Sequence, residues 1–332
     1  MNALEGRILV TGGAGFIGSA LVWALNQRGC RDIVITDVLG TGEKWRNLVP
    51  LRFADYIEAD TFRARWASDA GAFGGFSAIF HLGANSATTE MDASLLMHNN
   101  FGWTRDLAGW AIRTGTRFIY ASSAATYGDG SRGMSDLDGD LHRLRPLNAY
   151  GYSKHLFDVH AQQHGWLDRL VGLKYFNVFG PNEDHKGGMR SLVHKAFEQI
   201  RATGSLKLFR SHHPDYRDGE QMRDFLYVKD AVDMTLHFAD GGADVGGLFN
   251  IGSGEAHTWL DLAHAIFAAM DLEPRIEFID MPAELQEKYQ YFTRAEISKL
   301  QGSGYTRPAI PLADAVADCV RNHLIPGVRL GG

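Results

Sequence analysis

Cysteine is scarce. The 332-residue chain carries only Cys30 and Cys319, too few for a disulfide framework and not spaced as zinc ligands. Reduced thiols in a cytoplasmic protein are therefore expected. Long apolar runs are missing as well. No window approaches the ~18 uninterrupted apolar residues of a membrane span, and the residues before Arg7 lack the basic segment and apolar run of a signal peptide. Positive charge is in deficit: 33 Lys and Arg stand against 39 Asp and Glu, giving a formal net charge of -6. A chain of that sign does not present the broad basic surface that holds nucleic acid or an anionic membrane, so an anionic ligand must be met by local cations. His160 and His164 have the helical spacing of metal ligands, but no acidic or cysteine partner accompanies them, and no metal site is expected. No internal repeat or low-complexity tract is present.

What remains is an ordinary globular composition, 45% hydrophobic and 22% charged, long enough for one large domain or two smaller ones. Its first fifty residues read as strand, glycine turn, helix and strand. Ile8, Leu9 and Val10 form a short apolar run suited to a strand buried on both faces, and Gly12, Gly15 and Gly18 follow at once. A helix then places Ile17, Leu21 and Leu25 on one stripe, and Ile33, Val34 and Ile35 make the next strand, ending at Asp37. Glycines at that spacing let the chain turn tightly, bring backbone N–H groups close to a pyrophosphate, and let helix pack on sheet. A carboxylate about 20 residues on accepts ribose hydroxyls.

Further strands are expected at 56–60, 78–82, 118–121, 170–174 and 247–252, separated by segments long enough for helices. That rhythm predicts an α/β fold of the Rossmann type, a doubly wound parallel sheet with a second, smaller α/β lobe. Ligands of such sheets bind beyond the carboxyl ends of the strands, which puts Leu82, Gly83, Ala84, Asn85 and Ser86, and also Ser123, on the rim of the crevice. A helix over 150–164 sets Tyr150 and Lys154 one turn apart on one face. A phenol beside an ammonium is an acid/base device, because the positive charge favours the phenolate. Between Asn177 and Arg223 the strand pattern breaks down and cations gather, among them Lys186, Arg190, Lys195, Lys207, Arg210 and Arg223. That local excess suits a diphosphate, and Arg223 is the expected pyrophosphate ligand because guanidinium matches phosphate bidentately.

The blocks at 11–18 (TGGAGFIG), 120–128 (YASSAATYG), 148–154 (NAYGYSK), 175–181 (YFNVFGP), 185–187 (HKG), 223–228 (RDFLYV) and 289–293 (YQYFT) resemble the extended short-chain dehydrogenase/reductase family of nucleotide-sugar enzymes. The resemblance runs from residue 8 to about 306, and its 185–187 and 289–293 blocks are particular to the epimerases that act at C6 of an ADP-linked heptose for the lipopolysaccharide inner core. It implies a nicotinamide cofactor that takes hydride from C6 and returns it to the other face, with Tyr150 and Lys186 as proton-transfer groups. Lys154 would tune Tyr150 and hold the nicotinamide ribose, and Ser123 would support the reacting oxygen.

The cofactor contacts implied are Gly12, Gly15, Phe16, Ile17, Gly18, Asp37, Val38, Lys44, Leu82, Gly83, Ala84, Asn85, Ser86, Asn99, Tyr150, Lys154, Val178 and Lys186. The substrate contacts are Ser123, Asn177, Gly188, Lys195, Phe209, Arg210, Ser211, Arg223 and Tyr289. Residues 1–176 with about 224–254 would form the cofactor domain, and about 177–223 with 255–330 the sugar-binding lobe. The resemblance points to NADP, with Lys44 meeting the 2'-phosphate, while Asp37 keeps NAD open. It also implies a homo-oligomer, a pentamer being one arrangement. The chain departs from its relatives at Gly188, Lys195 and the segment 212–222. Ala124 and Ala125 stand where nucleotide-sugar dehydratases place an Asp-Glu pair. A 4-epimerase of the UDP-hexose type has no need of Lys186, and non-catalytic NADP-sensing members of the superfamily lack the Tyr/Lys pair that this chain keeps.

Overall fold

Neither face of the first strand meets water: all four residues of β1 (Ile8–Thr11) are buried. In this computed structural model, which describes residues 4–137, 139–240, 245–286 and 289–332, β1 leads into α1 (Phe16–Gln27), β2 (Ile33–Asp37), β3 (Asp55–Glu58) and α2 (Ala59–Asp69). There follow β4 (Ala78–His81), α3 (Ala93–Leu96), a π-helical stretch into α4 (Trp103–Thr114), β5 (Arg117–Ser123), α5 (Ala149–Gln163) and β6 (Leu170–Tyr175). The remainder alternates short strands with helices: β7 (Asn177–Phe179), α6 (Leu192–Thr203), β8 (Leu206–Phe209), β9 (Met222–Arg223), β10 (Phe225–Tyr227) and α7 (Val228–Asp240). Beyond these come β11 (Gly247–Ile251), β12 (His257–Thr258), α8 (Trp259–Ala269) and β13 (Ile276–Ile279).

Seven strands pair in parallel in the order β11-β6-β5-β4-β1-β2-β3. The order reverses between β1 and β4, and an open sheet of this kind leaves its ligand crevice at that reversal. Strand alternation divides the core: Ile8 and Val10 pack with α1 and α7 on one face, and Leu9 packs with Phe62, Leu107 and Phe157 on the other. No helix among the described residues is long and apolar enough to cross a membrane. Residues 1–3, at the start of the segment read for a signal peptide, lie outside the described residues.

The expected strands are present, with shifted ends. The third stops at Glu58 instead of Asp60 because the chain turns straight into α2, where Asp60 occupies the first turn and its carboxylate is favoured by the positive end of the helix. β5 runs on to Ser123, so its last residue is itself the candidate hydroxyl. In the region where pattern fails, three short strands nonetheless form, each paired with a distant segment: β7 with β10, β8 with β13 and β9 with β12. Strands of two to four residues are too short to carry a period, and only their partners define them.

Candidate functional site

The glycine turn has the shape of a phosphate cradle. Gly12 sits at φ +69, where a side chain is strained, and a Cβ there would stand 2.7 Å from Gly83 Cα across the β1–β4 reversal. A Cβ on Gly18 would collide with the Gly12 carbonyl, so this helix start closes on the turn only without a side chain. Asp37 is buried at the end of β2 and braces the turn: its Oδ2 accepts from Ala14 N (2.9 Å), while Oδ1 accepts from Val38 N (2.7 Å) and from Lys44 Nζ (2.6 Å). A carboxylate with a cation at its side, beyond a glycine cradle, fits the ribose end of a dinucleotide.

Helix α5 begins where Asn148 caps it, its Oδ1 accepting from Gly151 N at 2.8 Å, which sets Tyr150 in the first turn. Gly151 is required by contact: a Cβ there would stand 2.8 Å from Ala125 O, so the helix lies directly on the turn that follows β5. Ser123 Oγ caps that turn by accepting from Ala125 N (3.1 Å) and also hydrogen-bonds Tyr150. Burial pushes the Tyr150 phenol up, and the Ser123 bond pulls it back. Lys154 is not among the groups that tune it here. Its Nζ instead donates to Ala121 O (2.8 Å), and burial lowers its own pKa to about 8, with Asp158 opposing.

A lysine whose folded pKa lies below its unfolded value holds its proton at a cost to the fold. That cost is full below about pH 8 and fades as pH rises towards the unfolded value of 10.5. Lys154→Met should therefore melt higher than the parent at pH 7, with the advantage shrinking between pH 8 and 10.5; thermal melts across that range check it. His81, buried under the same rim, is held well below its usual range by desolvation and bridges Thr11 Oγ1 (2.7 Å) to Thr104 Oγ1 (2.9 Å).

These groups open on one cavity of about 820 Å³, lined at one end by Gly12, Gly15, Phe16, Ile17, Gly18, Asp37, Lys44, Leu82, Gly83, Ala84 and Ser86. Ser123, Tyr150, Lys154, Asn177, Val178, Lys186, Lys195, Phe209 and Tyr289 line it too, so all four expected catalytic side chains share one space. Seven expected contacts do not line it: Val38, Asn85, Asn99, Gly188, Arg210, Ser211 and Arg223. Val38 is exposed at the end of β2. Asn99 accepts from Arg63 Nη1 (2.7 Å), and Asn85 bonds Asn100 through its backbone. Arg210 and Ser211 pair with Asp218 (3.1 and 2.8 Å), and Gly188 is exposed in the 3-10 stretch Asp184–Met189.

Arg223 is the instructive difference. It is 6% exposed, its guanidinium lies 5.1 Å from the Tyr289 ring centroid and 5.6 Å from that of Trp259, and it donates to the carbonyls of Met222 and Gln290. Aromatic faces and peptide oxygens satisfy it where a diphosphate was expected. Trp259, absent from the sequence expectation, does line the cavity and donates Nε1–H to the Tyr289 hydroxyl (2.8 Å). Phe225, Leu262, Ile279, Gln199 and His185 line it as well. His185 and Phe225 carried a signal in sequence, as members of the 185–187 and 223–228 blocks.

The profile of the NAD dependent epimerase/dehydratase family matches residues 8–252. The chain belongs to that family. Within the NAD dependent epimerase/dehydratase family it is 53% identical to the ADP-L-glycero-D-manno-heptose-6-epimerase of Nitratidesulfovibrio vulgaris (strain DP4), over 95% of this chain and 97% of that protein. The solved structure of Helicobacter pylori ADP-L-glycero-D-manno-heptose-6-epimerase superimposes with a TM-score of 0.81 at 26% identity, covering 99% of this chain and 98% of that one. Thermus thermophilus UDP-glucose 4-epimerase, solved with NAD, gives 0.72 at 25% identity over 97% and 100% of the two chains. Every strand of the seven-stranded sheet falls inside the family match, including the edge strand β11.

Proposed function

We propose that this protein epimerises ADP-D-glycero-D-manno-heptose at C6 to the L-glycero form through a transient 6-ketone, for the heptose of the lipopolysaccharide inner core. The observation that carries the reading is that Lys186 lines the same cavity as Tyr150, Lys154 and Ser123. Inversion needs a proton-transfer group for each epimer, and a single Tyr/Lys pair provides one. The bound nicotinamide supplies hydride acceptance and return. Tyr150 moves the proton of the 6-hydroxyl in one epimer and Lys186 in the other. Ser123 holds the reacting oxygen, and Lys154 meets the nicotinamide ribose and tunes the phenol once substrate and cofactor are bound. Residues 1–176 with about 224–254 serve the cofactor, and about 177–223 with 255–330 the sugar nucleotide, whose diphosphate meets Lys195 and Lys207 on the cavity wall. This reading carries with it a cytoplasmic homo-oligomer.

The preferred cofactor is NADP, on the strength of Lys44 beside Asp37. The ammonium offsets the carboxylate that would otherwise repel a 2'-phosphate. Lys44→Ala should weaken NADP at least about tenfold relative to NAD, since a charge-assisted phosphate contact is worth about 1.5–3 kcal/mol. Fluorescence titration of cofactor-stripped protein with each dinucleotide reads the ratio, and an unchanged ratio removes Lys44 from the site.

The activity itself is tested by proton NMR of the purified protein, with the cofactor it retains, supplied with ADP-D-glycero-D-manno-heptose. Appearance of the L-glycero epimer with no added cofactor supports the reading. No conversion by protein carrying its nicotinamide overturns it.

A further inference from the structure

Lys186 sits in a short 3-10 stretch, Asp184–Met189, that α1 and the loop after β2 touch on one side only: Lys186 Nζ lies 5.0 Å from the Phe16 ring centroid and His185 Nδ1 3.3 Å from Asn47 Nδ2. Gly187 and Gly188 beyond it are exposed, and a Cβ on either would meet nothing within 4 Å. The rest of its order comes from the base of the loop. There one buried carboxylate draws the ends together: Glu183 Oε1 accepts from Gly180 N (3.1 Å) and Oε2 from Ser191 N (2.7 Å), with Lys186 Nζ 3.6 Å from the same Oε2. A second anchor comes from residues far along the chain. Arg329 Nη1 meets Asp184 Oδ2 at 3.2 Å, and His194 Nε2 lies 3.4 Å from the other oxygen of that carboxylate. Leu330, 1% exposed, donates its N–H to Asn182 Oδ1 (3.1 Å), and Asn182 Nδ2 donates to Ser19 Oγ of α1 (2.9 Å).

We infer that the Asp184–Arg329 ion pair is a positioning device for Lys186, fixing the loop so that its side-chain nitrogen addresses the 6-hydroxyl from a constant place. This rests on the reading of Lys186 as a proton-transfer group. The Arg329 side chain is 15% exposed and the Asp184 side chain 37%, so the pair is half-buried, and His194 on the other carboxylate oxygen adds to its hold on the loop. The pair lies outside the described cavity lining, and neither member is expected to touch substrate. Its effect is confined to the epimer whose hydroxyl Lys186 serves. Displacing a reacting group by about an ångström costs up to roughly a hundredfold in rate.

The test is a single-turnover experiment on the holoenzyme, mixing it with each pure epimer in turn and following absorbance of the reduced nicotinamide. Lys186→Met should slow reduction with one epimer and spare the other. Arg329→Met and Asp184→Asn should slow the same epimer by roughly tenfold or more and leave the other within about twofold, and Arg329→Lys should restore most of the rate. Partial unfolding slows both epimers alike, so equal slowing with both marks a general structural role and overturns the proposal, as does no slowing with either. If Lys186→Met shows no epimer preference while the parent converts both, the proton-transfer role of Lys186 falls first, and the positioning role falls with it.

Discussion

Tyr150→Phe should lower epimerisation by roughly a thousandfold, within the range that general acid–base groups contribute. The substitution removes one oxygen and little volume from a side chain that lines the cavity beside Ser123. Helix α5 should survive it, since its start is fixed by Asn148 and its seat by the close approach of Gly151 to Ala125. The burial that raises the phenol in the free protein means that substrate and nicotinamide must complete its activation. Initial rates of epimer formation by NMR at matched cofactor occupancy read the effect. A variant within tenfold of the parent would remove Tyr150 from proton transfer.

The largest stability effect is expected beneath that helix. Lys174 is 1% exposed and Asp158 fully buried, with Lys174 Nζ donating to Asp158 Oδ2 and to Thr126 Oγ1, each at 2.7 Å. Asp158 also accepts from Tyr120 Oη (2.9 Å) and Ser122 Oγ (2.7 Å). One carboxylate on α5 thus ties the helix to β5, to β6 and, through Thr126, to the turn after Ser123. Lys174→Met leaves that carboxylate buried without its cation and should cost about 3–5 kcal/mol. Asp158→Leu together with Lys174→Met removes both charges and should recover only part of the loss, because the buried hydroxyls of Tyr120 and Ser122 are then left without their acceptor. Urea unfolding of the parent and both variants measures this. A single variant as stable as the parent would show that the pair does not hold α5 in place.

Sequence and structure agree where chemistry is local. The glycine turn was legible because a phosphate cradle needs consecutive residues, and the structure places Gly12, Gly15 and Gly18 as expected with Asp37 against them. Tyr150 and Lys154 were legible because four residues make one helical turn. Arg223 shows the limit. Its residue type and the cations around it pointed to phosphate, yet Tyr289 and Trp259 enclose it, and no local pattern announces an aromatic partner 36 residues away in the chain. Asn99 likewise has a partner that no local pattern announces, Arg63 of α2.

The sequence by itself determined the fold class, since buried apolar runs alternating with helical segments admit few arrangements other than a parallel sheet with its crevice at the strand ends. It also singled out the candidate chemical groups, because each lies in a short block whose spacing is set by one turn of helix or one tight loop. Tertiary structure alone decided how those blocks meet. The pairing of β11 beside β6, the Trp259–Tyr289 wall, and the hold of Arg329 on the Lys186 turn all join residues distant in sequence. Such contacts form only where folding brings their partners together, so their energies leave no periodic trace in the chain.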